Sequence, residues 1–153
     1  MNSLDTALFN FTIAIQPTRR AWLQAASGTM AHNDLSMSVG AAVILAFRLG
    51  GDVLQSTIAL EAGVNPAAMV RILDQAEEAG LLVRQVATGN RRGKVIRLLP
   101  KGKKLAHKIE ADLAALRREL LADIPEQDIE TATRILRTLE TRSLAYAQEN
   151  RQR

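Results

Sequence analysis

The sequence of 153 residues contains no cysteine. This excludes a disulfide framework, a metal site built on thiolates and a redox switch based on cysteine. Aromatic residues make up only 3% of the chain, whereas hydrophobic residues make up 47%. The core must therefore consist of Leu, Ile, Val and Ala, a composition typical of packed helices.

Long apolar segments and the residue groupings of enzymes are also missing. No apolar run reaches the roughly 18 residues of a membrane span, and the N-terminus lacks the basic segment of a secretory signal. We therefore expect a cytoplasmic protein that does not engage a membrane. The sequence shows no nucleophile with a base, no paired carboxylates and no phosphate loop, and His32 and His107 are not at ligand spacing. We expect neither catalytic residues nor a metal or other cofactor.

Acidic residues are absent from residues 79 to 109, a stretch that contains nine lysines and arginines: Arg84, Arg91, Arg92, Lys94, Arg97, Lys101, Lys103, Lys104 and Lys108. An unopposed basic stretch is the electrostatic pattern of a nucleic-acid-binding surface. The alternative is an ordinary solvated surface with a local charge bias.

Residues 55 to 99 show the pattern around which the chain is organised. A short helix ends at Gly63, and Asn65 is a good N-cap for a second helix that begins with Pro66. Apolar residues recur at helical spacing until Gly80 ends this helix: Met69, Ile72, Leu73 and Ala76. Two helices joined by so short a turn predict a helix-turn-helix.

Two predicted strands, residues 81–87 and 94–99, follow the second helix. The residues between them include two glycines and an asparagine, as in a hairpin turn. Residues 52–54 can add a short third strand. A helix-turn-helix followed by a basic hairpin predicts a winged helix.

The same stretch resembles the MarR family of bacterial transcription regulators. The matching positions run without a gap: Gly63, Val64, Met69, Arg71, Ile72, Asp74, Gly80, Leu81, Arg84, Arg91, Arg92, Gly93, Pro100, Lys101 and Gly102. The flanking helices match in length and order, so the resemblance covers nearly the whole chain. The chain departs from the family at Asn90, usually Asp, and at Leu99, usually a capping Thr. Ala68 and Val70 stand where the family usually offers hydroxyls to DNA.

The resemblance implies that the second helix enters the major groove of double-stranded DNA while the wing follows the minor groove. On the outward face only Arg71 and Gln75 can hydrogen-bond to bases, and Ala67 or Ala68 can meet a thymine methyl. The predicted DNA-binding residues are Asn65, Pro66, Ala67, Ala68, Arg71, Gln75, Arg84, Arg91, Arg92 and Lys94.

Two questions stay open in this region. Asp74 is expected to pair with a basic residue of the wing, with plain solvation as the alternative. The alternative function is a winged-helix protein-interaction module without sequence-specific DNA binding, in which Ala68 and Val70 form an apolar docking surface.

The helices outside this region have apolar stripes of their own. The first helix, with Leu4, Leu8, Phe11 and Ile15, is expected to be interrupted by Pro17, and residues 27–34 to loosen the chain. Ser36 is expected to cap a buried helix over residues 37–49. Two long helices after Pro100 and Pro125 have narrow apolar stripes, which predicts a homodimer, with an intramolecular three-helix bundle as the alternative.

The expected fold is therefore mainly α, a winged helix-turn-helix with a small β hairpin and N- and C-terminal dimerisation helices. We expect one domain, residues 1–153, with a winged lobe over 35–99 and a dimerisation lobe over 1–33 and 100–148. The expected function is a transcriptional repressor on pseudo-palindromic operators.

The resemblance also implies an effector, because small aromatic or phenolic carboxylates often bind such regulators where the dimer helices meet the winged domain. The candidate residues are Arg19, Arg20, Trp22 and His32, since a guanidinium beside an indole can hold a carboxylate and stack on its ring. Arg19 shares the apolar stripe with Trp22 and is expected to be buried with a partner. The alternative is that Trp22 is simply core and that both arginines pair with acids across the dimer.

Overall fold

A computed structural model describes residues 2–31, 35–87 and 93–151. In these residues the chain forms six helices and three short strands. In chain order they are α1 (Ser3–Ala31), α2 (Met37–Arg48), β1 (Val53–Leu54), α3 (Gln55–Ala62), α4 (Pro66–Glu78), β2 (Leu82–Val86), β3 (Lys94–Leu98), α5 (Pro100–Leu120) and α6 (Glu126–Arg151). The fold is mainly helical with a small sheet, as the sequence predicts.

The chain divides into two compact units, Met1–Leu116 and Arg117–Arg153. In the first unit the three strands form an antiparallel sheet in the order β1-β3-β2. Val53 of β1 and Arg84 of β2 both pair with Ile96, so β3 is the central strand. The predicted third strand over residues 52–54 is thus confirmed for Val53 and Leu54.

The core of the first unit is aliphatic, as the composition requires. Its largest fully buried side chains are Ile58, Met69, Leu73, Leu81, Leu82, Ile96, Ile109 and Val43. Trp22 and Phe47 are half-buried and pack against this cluster, and in the described part of the chain no aromatic side chain is fully buried. Helix α5 joins the core through Ala106, Ile109 and Leu113.

The residues predicted to begin and end two of the helices do so in the structure. The Ser36 Oγ accepts a hydrogen bond from the Val39 N–H, 3.3 Å away, and so caps α2. Gly80 adopts a positive φ of 69° two residues after α4 ends at Glu78.

Helix α1 corrects two predictions, because it is continuous through both Pro17 and Gly28. Proline removes one backbone hydrogen bond, yet its φ of about −65° is compatible with a helix. Glycine in a helix costs only about 0.5–1 kcal/mol relative to alanine. The many remaining hydrogen bonds of a 29-residue helix outweigh both local penalties.

The second unit contains the end of α5 and the whole of α6. No residue described in α6 is buried, although its apolar side chains include Ile135, Leu136, Leu144 and Tyr146. Along the described ranges, no helix combines the length and apolarity needed to cross a membrane.

Candidate nucleic-acid interface

The turn between α3 and α4 is fixed by three local devices. Gly63 adopts φ +65°, and its N–H and that of Val64 donate to the Leu60 and Ala59 carbonyls, both at 3.0 Å. The Asn65 Oδ1 then accepts from the Ala68 N–H at 2.8 Å, and Pro66 takes the first position of α4. This geometry confirms the predicted helix-turn-helix. It also gives Asn65, a predicted DNA-binding residue, a structural role as the N-cap.

Helix α4 has one buried face and one solvent face. Met69, Leu73 and Ala76 pack into the core. On the other side Ala67, Arg71 and Gln75 are exposed, as predicted, and so is Pro66, whereas Ala68 is only half-exposed. The solvent face can therefore enter a groove without disturbing the core.

Val70 also belongs to the solvent face of α4, although it is not among the predicted DNA-binding residues. The residue is 38% exposed, although it is aliphatic and lies in the middle of α4. Helical spacing alone places Val70 beside Ala67 and Arg71, so its position on the solvent face can be predicted from the sequence.

Arg84 on β2 is bound to α4 by four hydrogen bonds. Its backbone N–H donates to the Glu77 Oε1 at 3.0 Å, and its Nε and Nη2 donate to the Glu77 Oε2 at 3.0 and 2.7 Å. The Nη2 also donates to the Asp74 Oδ1 at 2.5 Å. The expectation that Asp74 pairs with a basic residue of the wing region is met.

This network changes the interpretation of Arg84, which the sequence suggests as a DNA contact. Its side chain is only 14% exposed and uses three hydrogen bonds to hold α4 against β2. Its structural role is therefore to orient the solvent face of α4 relative to the strands.

The same network predicts that the first unit loses stability in acid. The backbone and side-chain hydrogen bonds from Arg84 lower the pKa of Glu77 below its ordinary value of 4.5. A depressed carboxyl pKa stabilises the fold above the ordinary pKa, and this stability is lost as the pH falls through the lower, folded-state value. We expect Glu77→Gln to reduce stability at pH 7 and to flatten its decline below about pH 5. Urea unfolding across this pH range measures both effects.

Glu78→Gln is the matched control for this prediction, because Glu78 is an exposed neighbour on α4. Its pH profile should follow that of the unmodified protein. A Glu77→Gln profile parallel to that of the unmodified protein would contradict the assigned role of Glu77.

The wing consists of β2, β3 and the residues between them. Arg91 and Arg92 lie outside the described residues. Lys94, at the start of β3, is exposed and close enough to Glu77 to contribute to its lowered pKa. The wing therefore places a cation near the C-terminal end of α4.

Acids from elsewhere in the chain reduce the charge of the basic stretch. The Nε and Nη2 of Arg97 donate to the two carboxylate oxygens of Asp52, at 2.8 and 2.9 Å. These hydrogen bonds and the negative charge of Asp52 raise the pKa of Arg97. Lys101 donates from Nζ to the Ala79 carbonyl at 2.7 Å. Within the described ranges, five exposed lysines of the stretch have no ion pair, namely Lys94, Lys101, Lys103, Lys104 and Lys108, and of these only Lys101 has a hydrogen bond to the protein.

Among the effector candidates, Arg19 departs from the prediction. Arg19 and Arg20 are exposed, so the expected burial of Arg19 is wrong, while Trp22 is half-buried against the core. The long arginine side chain reaches water at the edge of the stripe, where its charge stays solvated. His32 lies outside the described residues. The Nη2 of Arg19 is 3.7 Å from the position that a Cβ on Gly63 would occupy, so Arg19 lies beside the helix-turn-helix turn.

A cavity in the first unit lies away from these candidates. Its volume is about 460 Å³, and it is lined by Ala46, Phe47, Gly50, Gly51, Asp52, Arg97, Leu98 and Lys103. Neither Arg19 nor Trp22 lines it. Among the described side chains, no group of three or more His, Asp or Glu is placed to hold a metal ion.

The chain was compared with protein-family models and with solved structures. No family model matches the sequence. Among solved structures, the transcriptional regulator PA3341 is 29% identical, with a TM-score of 0.79 over 91% of this chain and 98% of that one. A MarR-family regulator from Rhodococcus sp. RHA1 is 22% identical, with a TM-score of 0.75 over 85% and 91% of the two chains. The chain has the fold of the MarR family.

The resemblance expected from the sequence is thereby confirmed. The chain is also similar to CouR from Rhodococcus jostii RHA1, whose crystal structure was solved bound to p-coumaroyl-CoA. It is 22% identical, with a TM-score of 0.73, and the match covers 84% of this chain and 90% of CouR. In the MarR fold of the present chain, the winged helix-turn-helix is the part formed by α2 to β3.

Proposed function

We propose that the protein is a homodimeric transcriptional regulator that binds double-stranded DNA with α4 in the major groove and the wing along the backbone or the minor groove. The observation that supports this most strongly is the solvent face of α4. Ala67, Val70, Arg71 and Gln75 are exposed there, while the opposite face is fixed in the core and Arg84 fixes the end of the helix. A rigid helix with a free face is what groove recognition requires.

Charge supports the same proposal. Lys94, Lys104 and Lys108 are exposed and form no ion pair within the described residues, so their charges are available to phosphates. Phosphate contacts position a protein on the duplex, and base contacts give specificity. Arg71 and Gln75 are the residues of the α4 face that can bond to guanine and adenine edges.

Selection of bound duplexes from a random-sequence library, followed by gel-shift titration, tests the proposal. We expect a pseudo-palindromic motif with half-sites about 10 to 10.5 base pairs apart. Arg71→Ala should relax the preference at one position by about 1–3 kcal/mol. Lys104→Ala is the control, because loss of a phosphate contact weakens all sequences about equally.

The second candidate function is a protein-interaction module. It is favoured by the exposed aliphatic side chains of the helix-turn-helix, because Leu60 on α3 is 79% exposed and Val70 on α4 is 38% exposed. Complete absence of a DNA shift at every salt concentration would favour this candidate and remove the first.

Dimerisation is proposed from the apolar side chains that the helices leave in water. Leu4, Leu8 and Ile13 of α1 and Leu144 and Tyr146 of α6 are each more than half exposed. Apolar faces of this kind on long helices are typical of subunit interfaces. The two symmetric winged units of such a dimer would match the two halves of a pseudo-palindrome.

Deleting residues 1–15 should therefore give monomers or insoluble protein, and Leu8→Glu should weaken the dimer by tenfold or more, about 1.4 kcal/mol. Asn10→Glu adds the same charge at an exposed polar position of α1 and serves as the control. Sedimentation velocity measures the assembly. A tight dimer of the truncated chain would show that the interface lies elsewhere.

We also propose that the protein acts as a repressor and that a small aromatic carboxylate releases it from DNA. Arg19, Arg20, Trp22 and His32 are the candidate site. Arg19 lies beside Gly63, so an anion held by its guanidinium would be next to the turn that positions α4. Such binding can shift α4 without contacting DNA.

Fluorescence of Trp22, the only tryptophan, tests this site directly. Titration with benzoate and p-coumarate should change the emission and weaken DNA binding by about 5- to 150-fold, with a reciprocal effect of DNA on the ligand. Arg19→Gln together with Arg20→Gln should abolish the response. If Lys103→Gln abolishes it instead, the ligand occupies the cavity beside β3, and the proposed site is wrong.

A further inference from the structure

We infer that α4 reads thymine methyl groups through Val70 and Ala67, with Arg71 as the polar contact beside them. The inference rests on the proposed DNA binding and specifies which base chemistry the helix recognises. It concerns one face of α4, which consists of Ala67, Val70, Arg71 and Gln75.

The exposure of Val70 is the first observation. Met69 and Leu73, its neighbours along α4, are fully buried, so the helix already supplies its core contacts through other residues. Val70 belongs neither to the buried cluster nor to the partly buried side chains packed on it. An aliphatic side chain left in water loses the stabilisation that burial would give, and a partner that covers it recovers that stabilisation.

The second observation separates Ala67 from Ala68. The Ala68 N–H is bonded to the Asn65 cap, and its side chain is half-buried. Ala67 is exposed and lies one turn before Val70. Of the two alanines that the sequence offers for a thymine contact, the fold therefore selects Ala67.

Geometry links these side chains to adjacent base pairs. Ala67 and Val70 are three residues apart, which is about 4.5 Å along the helix axis. Successive base pairs are about 3.4 Å apart along the duplex. The two side chains therefore meet neighbouring base pairs when α4 lies in the major groove.

The chemistry of the groove then defines the preferred base. Thymine is the only base that presents a methyl group in the major groove, and apolar side chains recognise it by contact. Valine and alanine have no hydrogen-bonding group, so they favour thymine over cytosine, whose amino group would remain without a partner beside them. Arg71, exposed beside Val70, can donate two hydrogen bonds to a guanine. We expect each half-site to contain thymines next to a guanine.

A uracil scan tests the inference one methyl group at a time. Each thymine of the selected duplex is replaced by deoxyuridine, which removes only the methyl group. At one or two thymines per half-site, the dissociation constant of the unmodified protein should rise about fourfold, the fold-change expected for one buried methyl group. Symmetric replacement in both half-sites should raise it about 16-fold, because separate contacts add.

Val70→Ala closes a double-mutant cycle between protein and DNA. This variant should bind the thymine duplex more weakly, and deoxyuridine at the Val70-dependent position should cost it less than twofold. Val70→Thr, which keeps the shape of the side chain, should lose part of the thymine preference. Thermal unfolding checks that both variants fold.

Leu60→Ala is the matched control, because Leu60 is an exposed aliphatic residue on α3 and not on the α4 face. Its uracil profile should equal that of the unmodified protein. Sequence-specific binding without any methyl-dependent thymine, or an unchanged profile for Val70→Ala, would overturn the inference while the proposed function stands. Failure to select any DNA sequence would overturn both.

Discussion

Raising the salt concentration from 50 to 200 mM should weaken DNA binding by about 10³- to 10⁵-fold. Each phosphate neutralised by the protein contributes about −0.9 to the slope of log affinity against log salt, and two winged units would make about six to ten such contacts. The exposed lysines without ion pairs, including Lys94, Lys104 and Lys108, are the described residues expected to make these contacts. Gel-shift or fluorescence-anisotropy titrations at several salt concentrations measure the slope.

Variants of β3 show which cations contribute to this effect. Lys94→Ala should lower the affinity and reduce the slope by about 2 for a dimer, one unit for each lost phosphate contact. The double change Asp52→Asn with Arg97→Gln removes an ion pair without changing the net charge, so its slope should equal that of the unmodified protein. A salt-insensitive complex of the unmodified protein would contradict phosphate binding.

The largest expected change in stability comes from Gly102→Ala. A Cβ on Gly102 would lie 2.0 Å from the Leu81 carbonyl oxygen and 2.9 Å from the carbonyl carbon. That carbonyl also accepts the Leu99 N–H at 3.0 Å, so it cannot move freely. Helix α5 would have to shift, and the buried contacts of Ala106 and Ile109 would loosen. We expect a loss of about 3 kcal/mol or more in the free energy of unfolding.

Gly28→Ala is the matched control for Gly102→Ala. Gly28 is also inside a helix, but a Cβ there would meet nothing within 4 Å. Alanine should stabilise that position by about 0.5–1 kcal/mol. Urea unfolding of both variants gives the comparison, and a Gly102→Ala midpoint equal to that of the unmodified protein would show that α5 does not pack as described.

The winged helix could be predicted from the sequence because its determinants are local. Gly63, Asn65 and Pro66 specify a turn between two helices through backbone conformation and capping, and the structure uses all three residues in this way. The strands of the wing could be predicted because β-branched residues are bounded there by glycines. These features depend on neighbours within a few positions, where sequence spacing and spatial distance coincide.

The predictions that were wrong depend on longer context. Pro17 does not end α1, because one missing hydrogen bond is outweighed by the rest of a long helix. Arg19 is solvated and not buried, since its helix lies at the edge of the core. Neither result can be obtained from the apolar stripe alone, because a stripe shows which side faces a neighbour but not how much of it is covered.

The sequence by itself therefore determined the helix-turn-helix, the strands of the wing, the aliphatic core and the excess of basic residues. Tertiary structure alone decided which of these charges remain available. It brought Glu77 to Arg84 and Asp52 to Arg97 across 7 and 45 positions of the chain, and it buried Gly102 against Leu81. Residues far apart in sequence meet only when the core has fixed the helices and strands around them, so a charge count along the chain overstates the charge that a partner can contact.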